Sequence, residues 1–432
     1  MYLKSAGIIA TAAAALIAAG CQGTSNSAGS NSTTGPTSPP AAARATAAVN
    51  SPKGNVQTAL ATGPVGKPGS HNFVAHGLYA TGWSAGSARK MDSLIKIIHE
   101  TGLNSIVIDI KDSDGCVTYY TPDVPLAVSI GACFKKPDEN RASNIDATLK
   151  KLKAAHIHVI GRVACFNDPI LAKKRPDWAI RSKNGGVWHG RSGHAWVDPT
   201  VKALWKYDVD LAEDAIKRGF DEIQWDYVRF PSDGNTRLCV YHQNISHDRA
   251  WSVIAAYLNY AYKRLAKYNV PISADIFGLT GTAKSDMGIG QKINPIADNV
   301  DLISPMVYPS HFAHGEYHMP NPNTQPYKTV LLSLRDAKKR IADTHCTIRP
   351  WLQAFSLFGV HYGPEQVLAE LKAVRDNHLG QFLCWNAGNK YDILKAALQS
   401  TEGKKLLAQI EANNNPIDHK TKGANTNVIA EK

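Results

Sequence analysis

In the stretch Gly219-Phe220-Asp221-Glu222-Ile223-Gln224-Trp225-Asp226-Tyr227-Val228-Arg229-Phe230-Pro231, acidic or amide side chains stand at 222, 224 and 226, with Ile223 and Trp225 between them. Successive side chains of a strand point to opposite faces, so this spacing puts Glu222, Gln224 and Asp226 on one face. A polar stripe inside a strand is costly unless it is hydrogen-bonded or used. Asp226, at the strand's end, is therefore the first carboxylate to suspect, while Glu222 fits a buried network better. A second run, Ile272-Ser273-Ala274-Asp275-Ile276-Phe277-Gly278, places Asp275 at the end of the next strand-like segment. Two neighbouring carboxylates are the working parts of most glycosidases: one protonates the leaving oxygen and the other attacks or activates water. Asp109 and Asp112, in Ile108-Asp109-Ile110-Lys111-Asp112, form a rival pair, with ion pairs to Lys111 or Arg162 as the structural alternative.

Aromatic and amide side chains gather at three further strand ends: Tyr308 and His311, Trp351 and Gln353, Trp385 and Asn386. Sugars stack their CH-rich faces on such rings, and amides read their hydroxyls. With Tyr79 and Trp83 near the first strand end, and with Gln224, Tyr227 and Arg229 beside Asp226, these residues outline a carbohydrate cleft. Other chemistries find less support. No Gly-x-Ser-x-Gly elbow stands at a strand-to-helix turn. No CxxC pair suggests zinc, and His311, His314 and His318 near Asp226 are the only metal-like group, two of them in a loop with Gly315 and Pro320. The expectation is a reaction run by two carboxylates with no metal and no cofactor.

Such an arrangement needs a scaffold that brings strand ends together. Between His71 and Ser400, β-rich runs alternate with amphipathic segments, the signature of a parallel sheet built from βα units. The predicted strands are Gly77 to Trp83, Ser105 to Lys111, His158 to Cys165, Glu222 to Val228, Pro271 to Phe277, Leu302 to Tyr308, Ile348 to Phe355 and Gln381 to Asn386. Eight strands, each followed by a helix-length segment, predict an α/β fold, a (β/α)8 TIM barrel, whose site lies at the C-terminal strand ends. Gly102 and Gly219 stop two of the helices. Trp178 to Pro199, with Asn184-Gly185-Gly186 at its middle, predicts a β-hairpin inserted after strand 3, on the rim of that face. Asp301, at the start of strand six, belongs to the opposite end.

The ends of the chain speak of export. Lys4, the apolar run Ala6 to Ala19 and Ala18-Ala19-Gly20-Cys21 resemble a bacterial lipoprotein signal over residues 1–21, with Cys21 as the lipidated residue; an ordinary cleaved signal of a secreted protein is the alternative. Residues 22–72 are Ser, Thr, Gly, Ala and Pro with almost no large apolar side chain, which predicts a disordered linker. The barrel is assigned to 73–400 and a flexible tail to 401–432. The formal net charge of +12 has no dense basic block behind it, so an anionic wall polymer or membrane surface, not nucleic acid, is the expected electrostatic partner. Of six further cysteines, Cys116 and Cys133 share one loop and are the expected disulfide; Cys165 and Cys384 fit strands as packed thiols.

Residues Gly77 to Tyr391 resemble a bacterial family of TIM barrels, the putative glycoside hydrolase domain family. The likeness rests on Gly77-Leu78-Tyr79-Ala80-Thr81-Gly82-Trp83, Val107 to Asp112, Asp168-Pro169, Gly219 to Pro231, Ser273 to Gly278, Ser304 to His311, Arg349 to Gln353 and Trp385-Asn386. It implies a glycosidase-like site on a barrel. A fainter likeness runs to the chitinase superfamily, whose fourth strand carries a catalytic Glu two residues beyond the last Asp. Val228 stands there, so barrels with a fourth-strand Asp nucleophile, such as α-galactosidases and α-amylases, are the closer analogy; it implies Asp226 as nucleophile and Asp275 as acid/base.

The expectation is thus a monomeric extracytoplasmic glycoside hydrolase, tethered to the cell membrane through its lipid anchor and acting on a wall or extracellular polysaccharide. A non-catalytic carbohydrate-binding or wall-scaffolding lipoprotein with the same cleft is the second class, since a fold does not guarantee activity.

Overall fold

The computed structural model describes residues 73–413. The signal segment with Cys21, the linker to residue 72 and the chain beyond 413 lie outside the described residues. Eight parallel strands close on themselves: β1 His76–Ala80, β2 Ser105–Lys111, β3 His158–Ala164, β4 Glu222–Asp226, β5 Ile272–Phe277, β6 Leu302–Met306, β7 in two pieces, Thr347–Ile348 and Trp351–Gln353, and β8 Phe382–Trp385. Each pairs with the next, and β8 returns to β1 with Gly77 opposite Leu383, which completes the barrel. β7 divides at Arg349-Pro350; proline has no N–H to give to the ladder, so regular pairing lapses there.

A helix follows every strand: α1 Ala88–Thr101, α2 Ile145–Ala154, α3 Lys202–Arg218, α4 Ala250–Leu265, a short α5 Ile293–Ala297, α6 Pro326–Arg340, α7 Pro364–Asp376 and α8 Asp392–Gln399. Gly102 and Gly219 end α1 and α3 in the left-handed region, at φ 73° and 113°, where a β-carbon would clash with the backbone. The strands' outward side chains pack on these helices in one continuous core, for example Ile106, Ile223, Trp225 and Ala274. A smaller apolar cluster of Val107, Ile160, Leu383, Tyr79, Tyr308 and Trp351 fills part of the barrel interior.

The remaining interior is polar and layered, as the alternation in β4 requires. Lowest is Glu222, whose carboxylate takes the guanidinium of Arg349 and the hydroxyl of Ser273 at 2.6 Å. Above it Gln224 donates to Ser304 at 3.1 Å, and Asp226 forms the top. Asp301 lies at the opposite end, accepting from the Tyr262 hydroxyl and the backbone N–H of Ile272.

Several expectations are corrected. Gly82 and Trp83 belong to a one-turn helix, Gly82–Gly86, capped by Thr81, and not to β1. The hairpin predicted after β3 is present, though irregular: it is held by isolated antiparallel bridges, Ala179 to Val197, Arg181 to Val187 and His189 to Ala195, and Arg181–Ser182 pairs in addition with Cys239–Val240 from the loop after β4. The flexible tail does not begin at 401: α9, Thr401–Ala412, is capped by Ser400 and buries Leu406, Leu407 and Ile410 against the body, which offsets the entropy of ordering it. Cys116 and Cys133 are free thiols; among the described residues there is no disulfide. No described helix is long and apolar enough to cross a membrane.

Candidate active site

The cleft opens at the C-terminal ends of the strands, and Asp226 and Asp275 both line it. The register that sets Trp225 opposite Ala274 seats the two aspartates next to one another on adjacent strands. Their surroundings differ. Asp226 Oδ2 accepts from Arg162 Nε at 2.9 Å and Nη2 at 2.6 Å, while Oδ1 accepts from the backbone N–H of Tyr227 at 2.6 Å. Asp275 has no cation bound; Oδ1 accepts one hydrogen bond, from the indole of Trp351 at 2.8 Å. Burial, and then the nearby charge of Asp226, push its carboxyl well above the ordinary aspartate range. One carboxylate held by a cation beside another whose surroundings favour its proton is the division of labour that glycoside chemistry uses.

Arg162, from β3, organises this layer. Its third arm, Nη1, reaches Asp109 at 2.6 Å, and Asp109 in turn accepts from the Tyr79 hydroxyl at 2.5 Å. Burial raises the pKa of Asp109 in spite of the guanidinium. Tyr79 stacks on Trp385 with ring centroids 3.9 Å apart, and Trp351 meets Trp385 edge-on at 5.5 Å. On the far wall Tyr308, His311 and Phe355 form a second aromatic group, where burial lowers the His311 pKa to about 4 and leaves a neutral ring at neutral pH.

Of the residues singled out in the sequence, Asp226, Asp275, Tyr227, Arg229, Tyr308, His311, Trp351 and Trp385 line the cleft. Five do not. Asp109 sits behind Arg162, as described. Asp112 is held in the loop after β2 by Arg141 and by the backbone N–H groups of Asp114 and Cys116, so its reading as a substrate contact is corrected. Gln224 is sealed in the layer below, bonded to Ser304, Gln353 holds Ser310 in place at 2.8 Å, and Asn386 ties down the carbonyl of Ala354; these three hold the barrel together beneath and beside the cleft. Lys111 pairs with neither Asp109 nor Asp112 but with Asp168 and Asp208 at 2.9 and 2.7 Å. Among the described residues no group of three His, Cys, Asp or Glu is placed to hold a metal, His311, His314 and His318 included.

Arg162, Trp196 and His194 are among the lining residues that went unpredicted as site residues. Arg162 was weighed only as an ion-pair partner, although an arginine in the middle of a buried strand, in His-Val-Ile-Gly-Arg-Val-Ala, signals a charged barrel interior. Trp196 and His194 come from the inserted hairpin, whose rim position was foreseen but whose side chains carried no pattern. Tyr227, at φ 50°, is a non-glycine residue in the left-handed region, a conformation costing about 1–3 kcal/mol. That turn presents its own N–H to Asp226 and swings Arg229 toward the cleft.

With this geometry in hand, comparison with known proteins gives a family. The model of the family described as "Putative glycosyl hydrolase domain" matches residues 77–391. The chain belongs to that family. Its eight-stranded barrel is glycoside-hydrolase-like in architecture and in the family it joins. A hypothetical protein from Ruminiclostridium thermocellum ATCC 27405 is 37% identical over 46% of this chain and 96% of its own, with a TM-score of 0.41. The glycoside hydrolase domain of PgaB (BpsB) from Bordetella bronchiseptica is 12% identical over 76% of this chain and 98% of its own, with a TM-score of 0.54, a likeness of fold. No curated protein matched the sequence.

Proposed function

We propose that the chain hydrolyses glycosidic bonds of a wall or extracellular polysaccharide, with Asp226 as nucleophile and Asp275 as general acid and then base. The observation that carries this reading is the unequal environment of two adjacent carboxyl groups in one cleft: Arg162 and a backbone N–H on Asp226, a single indole N–H on Asp275. In the first step Asp275 gives its proton to the leaving oxygen while Asp226 Oδ attacks the anomeric carbon; in the second, Asp275 takes a proton from water, which displaces Asp226. Trp385, with Tyr79 stacked on it as support, and Tyr308 with Phe355 supply stacking surfaces for sugar rings. The signal-like segment ending in Cys21 supports an extracytoplasmic, lipid-anchored location.

The test is reducing-end release from a panel of polysaccharides, run beside glycan binding, for the wild type and Asp226→Asn. A hydrolase loses turnover in the variant and keeps binding. Binding without turnover in the wild type, across the panel, identifies a carbohydrate-binding scaffold and refutes the hydrolase.

A further inference from the structure

Arg229 is a cation of the cleft to which no carboxylate is bound. The other arginine there, Arg162, is shared between Asp109 and Asp226, whereas no acidic oxygen of the described residues lies within 4.0 Å of Arg229. It is nonetheless 93% shielded, with a relative exposure of 7%. Its guanidinium is enclosed by rings from three separate elements: Trp196 of the inserted hairpin at 4.8 Å, Phe277 at the end of β5 at 4.8 Å, and Tyr227 after β4 at 5.1 Å. One edge is fixed, since Nη1 donates to the Phe230 carbonyl at 3.1 Å and to Ser232 at 3.0 Å. The other edge, Nε with Nη2, has no protein acceptor among the described residues, and neither atom is sealed from solvent.

A desolvated cation with no carboxylate in contact is expensive to hold: Asp226 and Asp233 act on it only through space, and burial outweighs them and draws its pKa down from the ordinary arginine value. A neutral hydroxyl fills the free edge without supplying the missing charge. A planar carboxylate does both, because Nε–H and Nη2–H form a parallel fork that matches its two oxygens. The formal net charge of the chain, +12, favours the approach of an anionic polymer.

We propose that Arg229 anchors the carboxylate of a uronic acid unit, so that the glycan taken by this cleft is an acidic one. The proposal rests on the cleft being a glycan site, but not on bond cleavage there.

Oligouronates of several linkages, and the same compounds after carboxyl reduction to neutral sugars, are titrated into the wild type, Arg229→Gln and Arg229→Lys; binding is read by calorimetry and hydrolysis by reducing-end release. The wild type should bind at least one acidic series about tenfold to a hundredfold more tightly than its reduced counterpart, the range of a charge-assisted pair. Arg229→Gln should bring that ratio close to one, and Arg229→Lys, which keeps the charge without the fork, should restore part of it. The comparison within the wild type needs no substitution, so a variant that fails to fold leaves the test intact. Equal affinity for acidic and reduced forms, no binding of any oligouronate, or a preference confined to sulfated or phosphorylated sugars overturns the proposal. Acidic glycans bound but never cleaved uphold Arg229 and sink the hydrolase; neutral glycans cleaved with no acidic preference do the reverse.

Discussion

Replacing Arg162 with methionine tests whether one guanidinium holds the charged layer together. The side chain makes three bonds, to Asp226 at 2.9 and 2.6 Å and to Asp109 at 2.6 Å, and its own exposure is 4% against 2% and 10% for its partners. Arg162→Met leaves Asp109 buried with the Tyr79 hydroxyl as its remaining side-chain donor, and breaking a buried pair in this way costs about 3–5 kcal/mol. With about 2.1 cal/mol/K of unfolding entropy per residue over roughly 340 ordered residues, that loss lowers the thermal midpoint by about 4–7 °C. Adding Asp109→Asn removes the orphaned charge, and the coupling between the two sites should return about 1–3 kcal/mol. Turnover should not return with it, because Asp226 still lacks the two N–H groups that aim it. Thermal unfolding at pH 7 and reducing-end release, measured on the wild type, both single variants and the double, give all the quantities. An Arg162→Met midpoint within about 1 °C of wild type, or a double variant no more stable than Arg162→Met, refutes the reasoning.

Three further outcomes follow from the same geometry. Turnover should fall on the alkaline side as Asp275 gives up its proton, at a pH above the ordinary aspartate value of 3.8, and Trp351→Phe should move that limb upward, by at most about one pH unit, because it removes the one hydrogen bond that favours the charged form; a downward shift in the pH profile contradicts the assignment. Burial works against ionised Glu222, but Arg349 prevails and draws its pKa from 4.5 to about 2, so this carboxylate stabilises the fold by about 3 kcal/mol above pH 4.5 and loses that contribution as pH falls toward 2; unfolding midpoints measured from pH 2 to 7 should show the decline, and a flat acid side for wild type rejects it. Ending the chain after Ser400 exposes the face that packs on Leu406, Leu407 and Ile410, for a loss of about 4–8 kcal/mol as an upper range; an unchanged denaturation midpoint shows that α9 is dispensable.

How much was legible in the sequence differs between the scaffold and the site. The strands could be read because a parallel barrel buries both faces of each, and β2 runs over Ser105–Lys111 as predicted. Errors gathered at strand ends: β1 stops at Ala80 because Thr81 caps a helical turn, and β7 breaks at Pro350, both local backbone effects that a hydrophobic run does not reveal. At the site, period two in β4 put Glu222, Gln224 and Asp226 on the inner face, and the place of Asp226 at the C-terminal end marked it for the cleft and Glu222 for a buried network, as found. Gln224, one layer down, was read as a substrate contact because spacing along a strand does not show how deep the open mouth reaches. Asp112 was misread for a related reason. It follows the strand end, where the chain bends back so that Val117 pairs with Ala132, and the bend hands the carboxylate to Arg141. Arg162 was undervalued because a lone cation in a strand shows its worth only beside the two acidic residues it joins, 53 and 64 positions away.

The division of roles between the two carboxyl groups has a direct measurement in chemical rescue. Asp226→Gly and Asp275→Gly are each supplied with azide and an activated glycoside of the sugar the wild type cleaves, and the anomeric configuration of the product is read by proton NMR. With Asp226 as nucleophile, azide takes its place from the same face, so Asp226→Gly should yield a glycosyl azide inverted relative to substrate, and Asp275→Gly one of retained configuration. An inverted azide from Asp275→Gly, or a wild type that itself hydrolyses with inversion, contradicts the assignment.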